Sequence, residues 1–339
     1  MLVQMKKEHT TDELERVRTF LELKGFTIKD ASSEAVTLFG VLGDTKALDF
    51  DQIAIFPGVE KVTRISNPYK LASKTIHPEP TVIKLNHGIT IGNGSFVVMS
   101  GPCSVESEEQ LRTIAKAVKA SGSHILRGGV FKPRTSPYAF QGLGIEGLKM
   151  MRKVADELDM LVISELMGTE HMEEFIKYVD IIQIGARNMQ NFDFLKALGK
   201  LKTPILLKRG LSATIEEWLM SAEYILAGGN ENVILCERGI RTFEKYTRNT
   251  LDISAVLAVK QLSHLPVIVD PSHAAGRWDM IEDLSLAALA VGADGIIVEV
   301  HHKPEEALSD GAQSLKPEKF DHMMKRIDVV AKALNKKVS

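Results

Sequence analysis

A short apolar run that ends on a polar, often charged, residue recurs eight times along this chain. Phe96–Met99 runs into Gly101-Pro102-Cys103-Ser104, and His124–Leu126 into Arg127-Gly128-Gly129. Leu161–Ser164 ends on Glu165, Asp180–Gly185 on Ala186-Arg187, and Pro204–Leu207 on Lys208. Val233–Cys236 ends on Glu237-Arg238, Pro266–Val269 on Asp270-Pro271-Ser272-His273, and Gly295–Val298 on Glu299. Helical segments fill the gaps between these runs: Glu108–Ser121, Leu148–Leu158, Ile215–Ala227, Met280–Val291 and Pro317–Leu334 are the clearest, with Ser107 and Asp279 placed as capping residues. Strands alternating with helices require a parallel sheet. Eight of them, each with chemistry at its C-terminal end, predict an α/β fold, a (β/α)8 TIM barrel with one active-site mouth. An open doubly wound sheet would need a glycine-rich phosphate loop after its first strand, and Gly101-Pro102-Cys103 is not one.

A barrel of this kind takes about 250 residues, so a chain of 339 has a segment left over. Residues 1–70 read β-α-β-β-α-β. Leu2–Met5 is a strand, Thr10 or Thr11 caps a helix carrying Leu14, Val17 and Leu21 at helical spacing, and Gly25 stops it. Phe26–Ile28 and Val36–Val41 follow as strands, Thr45–Ile55 as a second helix and Gly58–Ile65 as the last strand. That order predicts a small α+β ferredoxin-like domain, either of regulatory or oligomerising use or a purely structural appendage. Residues 71–94 form a proline-interrupted linker and a hairpin (Thr81–Leu85, Ile89–Ile91) placed to cover the N-terminal end of the barrel, and residues 95–339 form the barrel itself.

The net charge of −2 gives no reason to expect nucleic acid or an anionic membrane as partner. No apolar run approaches the ~20 residues of a membrane span, and Met1-Leu2-Val3-Gln4 does not open a secretory signal. Two cysteines argue against a disulfide framework, so a reducing cytoplasm is expected.

Two groups of residues carry the chemistry. The barrel reading brings Cys103, His273 and Glu299 to strand ends 1, 7 and 8, with Asp310 in the following loop. A thiolate, an imidazole and two carboxylates suit one divalent metal ion of the Mn, Fe, Co or Zn class. Each also has a structural reading: a buried small residue, a satisfied loop histidine, a lysine partner, a turn before Gly311. The second group is cationic: Arg127, Lys132, Arg134, Arg187, Lys208 and Arg238 at one mouth point to small ligands bearing phosphate or carboxylate. Cys236, inside the sixth strand, is expected to pack.

The run Arg127-Gly128-Gly129-Val130-Phe131-Lys132-Pro133-Arg134-Thr135-Ser136 is the most specific in the chain. With Gly101-Pro102-Cys103-Ser104, Ile184-Gly185-Ala186-Arg187-Asn188, Leu207-Lys208-Arg209-Gly210, Cys236-Glu237-Arg238-Gly239 and Asp270-Pro271-Ser272-His273, it resembles the 3-deoxy-D-arabino-heptulosonate 7-phosphate (DAHP) synthases over residues 80–335. The nearest resemblance is to the short microbial subgroup with an N-terminal ferredoxin-like (ACT-like) domain. The resemblance implies condensation of phosphoenolpyruvate with erythrose 4-phosphate at the entry to aromatic amino-acid synthesis. It implies metal ligands at Cys103, His273, Glu299 and Asp310, and phosphoenolpyruvate contacts at Arg127, Lys132, Ala186 (backbone), Arg187, Lys208 and Arg238. Erythrose 4-phosphate would meet Lys132, Pro133, Arg134 and Thr135, with Ser272 and Arg277 as further contacts. Lys132, Glu165 and His273 are the implied catalytic groups, and a homotetramer the implied assembly.

Two other readings are weighed. The sister octulosonate 8-phosphate synthases use arabinose 5-phosphate and resemble a Lys-Ala-Asn-Arg-Ser loop, unlike Lys132-Pro133-Arg134-Thr135-Ser136 here. A non-catalytic amino-acid-sensing scaffold would have lost a ligand or an anion contact, and none is missing. Tyrosine-responsive relatives resemble a His-x-Ser pattern where this chain has Lys29-Asp30-Ala31, so Lys29 and Ala31 mark an effector site with altered polar contacts and weak or absent tyrosine inhibition is expected.

Overall fold

The computed structural model describes the chain except residues 33–35, 44, 46–47, 64–67 and 133–137. It divides into two compact units, Met1–Glu79 with Leu262–His264, and Pro80–Gln261 with Leu265–Ser339.

In the first unit, β1 (Leu2–Met5), α1 (Thr11–Leu23), β2 (Thr27–Asp30), β3 (Leu38–Leu42), α2 (Phe50–Ala54) and β4 (Val59–Thr63) follow the expected order. The sheet runs β2-β3-β1-β4, with antiparallel pairing throughout. Thr10 and Glu13 form a reciprocal capping box at the start of α1, where the Thr10 hydroxyl accepts from Glu13 N and the Glu13 carboxylate accepts from Thr10 N. Val17 and Leu21 of α1 pack with Val3, Phe39, Val41 and Ile53 in one apolar core. The second helix is shorter than its sequence suggests, because Asp49 caps it at Phe50 by accepting from Asp51 N.

The second unit opens with β5 (Ile83–Lys84) and β6 (Thr90–Ile91), an antiparallel hairpin. The barrel follows as β7 (Ser95–Gly101), α3 (Glu108–Ala120), β8 (Ile125–Arg127), α4 (Gly144–Glu157), β9 (Leu161–Glu165), α5 (Met172–Tyr178), β10 (Ile181–Ile184), α6 (Phe192–Leu198), β11 (Ile205–Lys208), α7 (Ile215–Ala227), β12 (Val233–Glu237), α8 (Ser254–Leu262), β13 (Val267–Val269), α9 (Pro271–Ala275), α10 (Ile281–Ala290), β14 (Gly295–Glu299) and α11 (Pro317–Ala333). Strands β7 to β14 pair in parallel, each with the next, and β14 pairs back to β7, closing eight strands into a barrel. A last strand, β15 (Lys337–Val338), pairs with the start of β7.

Ile83, Ile89 and Ile91 of the hairpin join Val97, Met99, Ile125, Leu161, Ile181 and Ile268 in the barrel's inner core, so the hairpin seals the end where strands begin. Ser107 caps α3 as expected, its hydroxyl accepting from Gln110 N. Asp279 does not cap the tenth helix: its carboxylate is bound by Arg277 instead, and Met280 stands at the cap without a side-chain bond. Cys236 is fully buried in the same inner core and packs.

Candidate active site

Closure of the barrel brings the eight strand ends to one rim, and the acidic and sulfur groups of β7, β13 and β14 become neighbours. Cys103 follows β7, and its Sγ lies 3.3 Å from Asp310 Oδ2 and 3.2 Å from Ser309 Oγ. His273, in α9 just after β13, points Nε2 at Glu299 Oε1 at 3.4 Å. Asp310 takes a left-handed backbone conformation (φ 50°), which aspartate tolerates better than most residues, and this turns its carboxylate toward Cys103. The four expected ligands therefore stand as two close pairs. Among the described residues no three His, Cys, Asp or Glu side chains converge on one point.

The donor set nevertheless fits a divalent ion. His273 Nδ1 lies 2.7 Å from Asp270 Oδ2, a close charge contact without hydrogen-bond alignment, and Nε2 faces the site. Burial pushes the Cys103 thiol up to about 11, helped by Glu299 and opposed by Lys132 and Arg127. A thiol held so high becomes a thiolate only against a strong cation. Burial also works against charge on Glu299, yet His273, Arg127 and Lys132 hold its carboxyl below the ordinary range. Burial is the main reason the His273 imidazole titrates low, against the pull of Asp270; a neutral imidazole is the ligating form.

The cations divide into two kinds. Arg127 Nη1 donates to Glu299 Oε1 and to Pro102 O, each at 2.9 Å. Lys208, at the end of β11, donates to Asp270 Oδ2 at 2.5 Å. Lys132 Nζ lies 3.0 Å from Cys103 Sγ. Arg187 and Arg238, after β10 and β12, have no carboxylate partner among the described residues, and Arg238 Nη1 is buried with no acceptor. Burial lowers the pKa of Arg238, with Asp270 and other groups partly offsetting it.

Ala186 opens a short 3-10 turn with Arg187 and Asn188. Glu165 ends β9 and accepts from Gln183 Nε2 at 3.2 Å, and its carboxylate lies directly over Gly185, where a Cβ would fall 2.0 Å from Oε1. The Ser272 hydroxyl is turned inward and accepts from Glu299 N. Arg277 makes two bonds to Asp279, at 3.0 and 2.8 Å, and stacks on Tyr246, so its guanidinium is already engaged. Pro133, Arg134 and Thr135 lie outside the described residues. Lys29 is half-buried on β2 and Ala31 is buried. The cavity of about 270 Å³ beside that strand is lined by Asp30 and Ser32, with His9 and Arg18, since alternate residues of a strand face opposite sides.

Sequence reasoning gave no role to three residues that organise this mouth. Asp270 holds His273 and Lys208 at once, and its carboxyl is kept well below the usual range by those two groups although burial opposes it. Gln313 donates to Glu299 Oε2 at 2.9 Å, and Arg248 bonds both Gln313 and Asp310. The position of Asp270 one residue beyond an apolar run was the only signal, and the same signal marks residues without such a role.

Comparison with known proteins agrees with this architecture. Residues 80–334 match the DAHP synthetase I family, and residues 1–67 the DAHP synthase ferredoxin-like domain. The chain belongs to the DAHP synthase family. It is similar to the phospho-2-dehydro-3-deoxyheptonate aldolase of Thermotoga maritima, 49% identical over 339 residues and all of both chains. The crystal structure of that DAHP synthase superposes with a TM-score of 0.80, covering 100% of this chain and 99% of the other at 48% identity. A 2-dehydro-3-deoxyphosphooctonate aldolase of Geobacter sulfurreducens is more distant, 32% identical over 70% of this chain and 93% of its own length.

Proposed function

We propose that this chain is a transferase that joins phosphoenolpyruvate to erythrose 4-phosphate, giving DAHP and inorganic phosphate. The observation that carries the reading is Arg238, a buried guanidinium with an unanswered nitrogen at the mouth of the barrel. A buried unpaired cation is costly unless a ligand completes it, and a phosphate or carboxylate does so. Arg187 and Lys208 stand at neighbouring strand ends and would share the anionic groups of phosphoenolpyruvate with Arg127, Lys132 and the Ala186 backbone.

Cys103, His273, Glu299 and Asp310 would hold one divalent ion, which when bound supplies Lewis-acid polarisation of the aldehyde oxygen. The chain's own residues do the rest. Arg187, Lys208 and Arg238 bring two mutually repelling anions together, which lowers the barrier by positioning and by stabilising charge. C3 of the enol attacks the aldehyde carbon, and the resulting alkoxide takes a proton from Lys132. Water, oriented by Glu165, adds at C2 and passes one proton to that carboxylate, and C–O cleavage then releases phosphate, which carries off the remaining hydroxyl proton as the C2 ketone forms. Asp270 pairs with Lys208 and holds His273 turned toward the site throughout. Lys132, Arg134 and Thr135 would receive the aldose phosphate; Ser272 and Arg277 are poorer candidates, because their polar groups already have protein partners.

We further propose a cytoplasmic homotetramer whose residues 1–70 form the regulatory domain, with tyrosine inhibition weak or absent because Lys29 and Ala31 replace the imidazole and hydroxyl. Phosphoenolpyruvate consumption tests these readings together. It should require erythrose 4-phosphate, fail with arabinose 5-phosphate, stop with chelator and resume on adding Mn²⁺. Equal turnover with arabinose 5-phosphate, or full activity after chelation, refutes the assignment, and inhibition by micromolar tyrosine refutes the effector reading.

A further inference from the structure

Behind the turn that carries Asp310 lies a cavity of about 340 Å³ to which none of the chemistry above gives a use. Its walls are apolar where Trp278, Pro304 and Ala312 line it, and Lys316 and Lys319 supply two ammonium groups. Trp278 is half exposed, unusual for a side chain so large, and Lys319 Nζ lies 5.9 Å from its ring. Glu305 pairs with Lys316 at 3.4 Å, so the lining keeps one positive charge in excess. The volume falls in the range of small-molecule sites, about 300–1,000 Å³. A flat ring on one wall with an unanswered cation beside it favours a ligand that is itself flat and negatively charged.

The short 3-10 turn Gly311–Gln313 separates this cavity from the catalytic mouth. On one side Asp310 faces Cys103 and Gln313 bonds Glu299; on the other, Gly311, Ala312 and Ser314 line the cavity. The turn has little slack. A Cβ on Gly311 would fall 2.0 Å from Pro304 O, and Ser314 N and Leu315 N are bonded to Gly311 O and Glu299 O. A ligand that displaces Ala312 or Ser314 therefore moves Asp310 or Gln313, because a packed turn shifts as a unit.

We propose that this cavity binds a flat organic monoanion, an aromatic or conjugated carboxylate, and that its occupancy is passed to Asp310 and Gln313 through the turn they share. The second half rests on Asp310 being a metal ligand; the first does not. An α-amino acid is a poorer fit, because its ammonium would meet Lys319.

The test is calorimetric titration of 2-naphthoate into the full chain, with 2-naphthalenemethanol, acetate and phenylalanine as comparison probes. Naphthoate should bind saturably and the three others at least about tenfold more weakly, while Trp278→Ala and Lys319→Gln should each weaken naphthoate by about tenfold, the loss expected for one ring stack and for one charge-assisted contact respectively. Both side chains lie at the surface, so the variants should fold as the parent does. Mn²⁺ affinity, read from free ion by electron paramagnetic resonance, should change at least about twofold at saturating naphthoate, and not in Trp278→Ala. No saturable heat, equal binding of the neutral alcohol, or binding untouched by both substitutions overturns the site. Naphthoate that binds without altering Mn²⁺ affinity overturns the coupling. A change of sedimentation in Trp278→Ala, with no naphthoate binding to the parent, would make the cavity a contact between copies and overturn the proposal.

Discussion

Where the barrel strands begin, Ile83, Ile89 and Ile91 of the hairpin close over Val97, Ile125, Leu161 and Ile181 with no charge among them. Where the same strands finish, Arg127, Lys208, Arg209, Glu237, Asp270 and Glu299 are all buried. Apolar burial stabilises outright at about 25 cal/mol per Å². Buried ions must first recover the loss of their hydration. Three pairs at the mouth do so within the protein: Arg127 with Glu299, Lys208 with Asp270, and Arg209 with Glu237. Buried Arg238 has no such partner among the described residues, and Arg187, which is exposed, has none either. One end of the barrel is thus complete as it stands, and the other keeps a buried guanidinium nitrogen with no acceptor.

The contrast breaks if substitutions at the two ends behave alike. Activity should fall furthest at the two side-chain pairs proposed to hold the metal. Cys103→Ala or His273→Ala should lower kcat/KM by about a thousandfold or more and remove bound metal in parallel, read by turnover and metal analysis. Asp270→Asn should follow, losing about 10–100-fold in activity or metal affinity by freeing the His273 ring, and destabilising the fold because Lys208 is left buried without its counter-charge. Ile91→Ala at the opposite end should cost about 2–5 kcal/mol in denaturant unfolding while kcat stays within about twofold.

Arg238→Met sharpens the comparison most. It should raise KM for phosphoenolpyruvate by about tenfold or more, yet leave the ligand-free protein as stable as the parent or more so, by about 1 kcal/mol. A large loss of stability would mean that the guanidinium is already satisfied within the protein.

The smallest effect concerns Asp252, which accepts from Arg209 at 2.8 Å beside the buried Glu237. Burial opposes its charge, but bonds from Arg209 and Ser254 hold its carboxyl below the ordinary value. A carboxyl whose pKa is depressed on folding binds fewer protons folded than unfolded, so it adds stability above about pH 4 and loses it as pH falls through the folded value. Asp252→Asn should therefore cost about 1 kcal/mol at pH 7, a cost that shrinks steadily as pH falls below about 4. A difference independent of pH would exclude the charge as its source.

Most of the barrel was legible in the chain because β7 to β14 and their helices alternate locally, and closure then follows from parallel pairing. Cys103, His273, Glu299 and Asp310 were legible as residue types at strand ends. Their arrangement in two pairs, with Lys132 against the thiol, was not. Asp279 was read as a cap by position alone, since nothing local shows that Arg277 binds it first. Ser272 read as a mouth hydroxyl, but the turn of α9 directs it to Glu299 N.

The order of strands, the residue offered at each strand end and the surplus of cations at one mouth are written locally, because each depends on neighbours within a few positions. Which of those charges cancel depends on contacts between distant strands. Arg127 meets Glu299 across 172 residues because closure sets β8 and β14 on either side of β7, and Lys208 meets Asp270 across 62 because β11 and β13 flank β12. Arg238 is left unmatched, and a buried charge is committed or available according to what stands within a few ångströms of it.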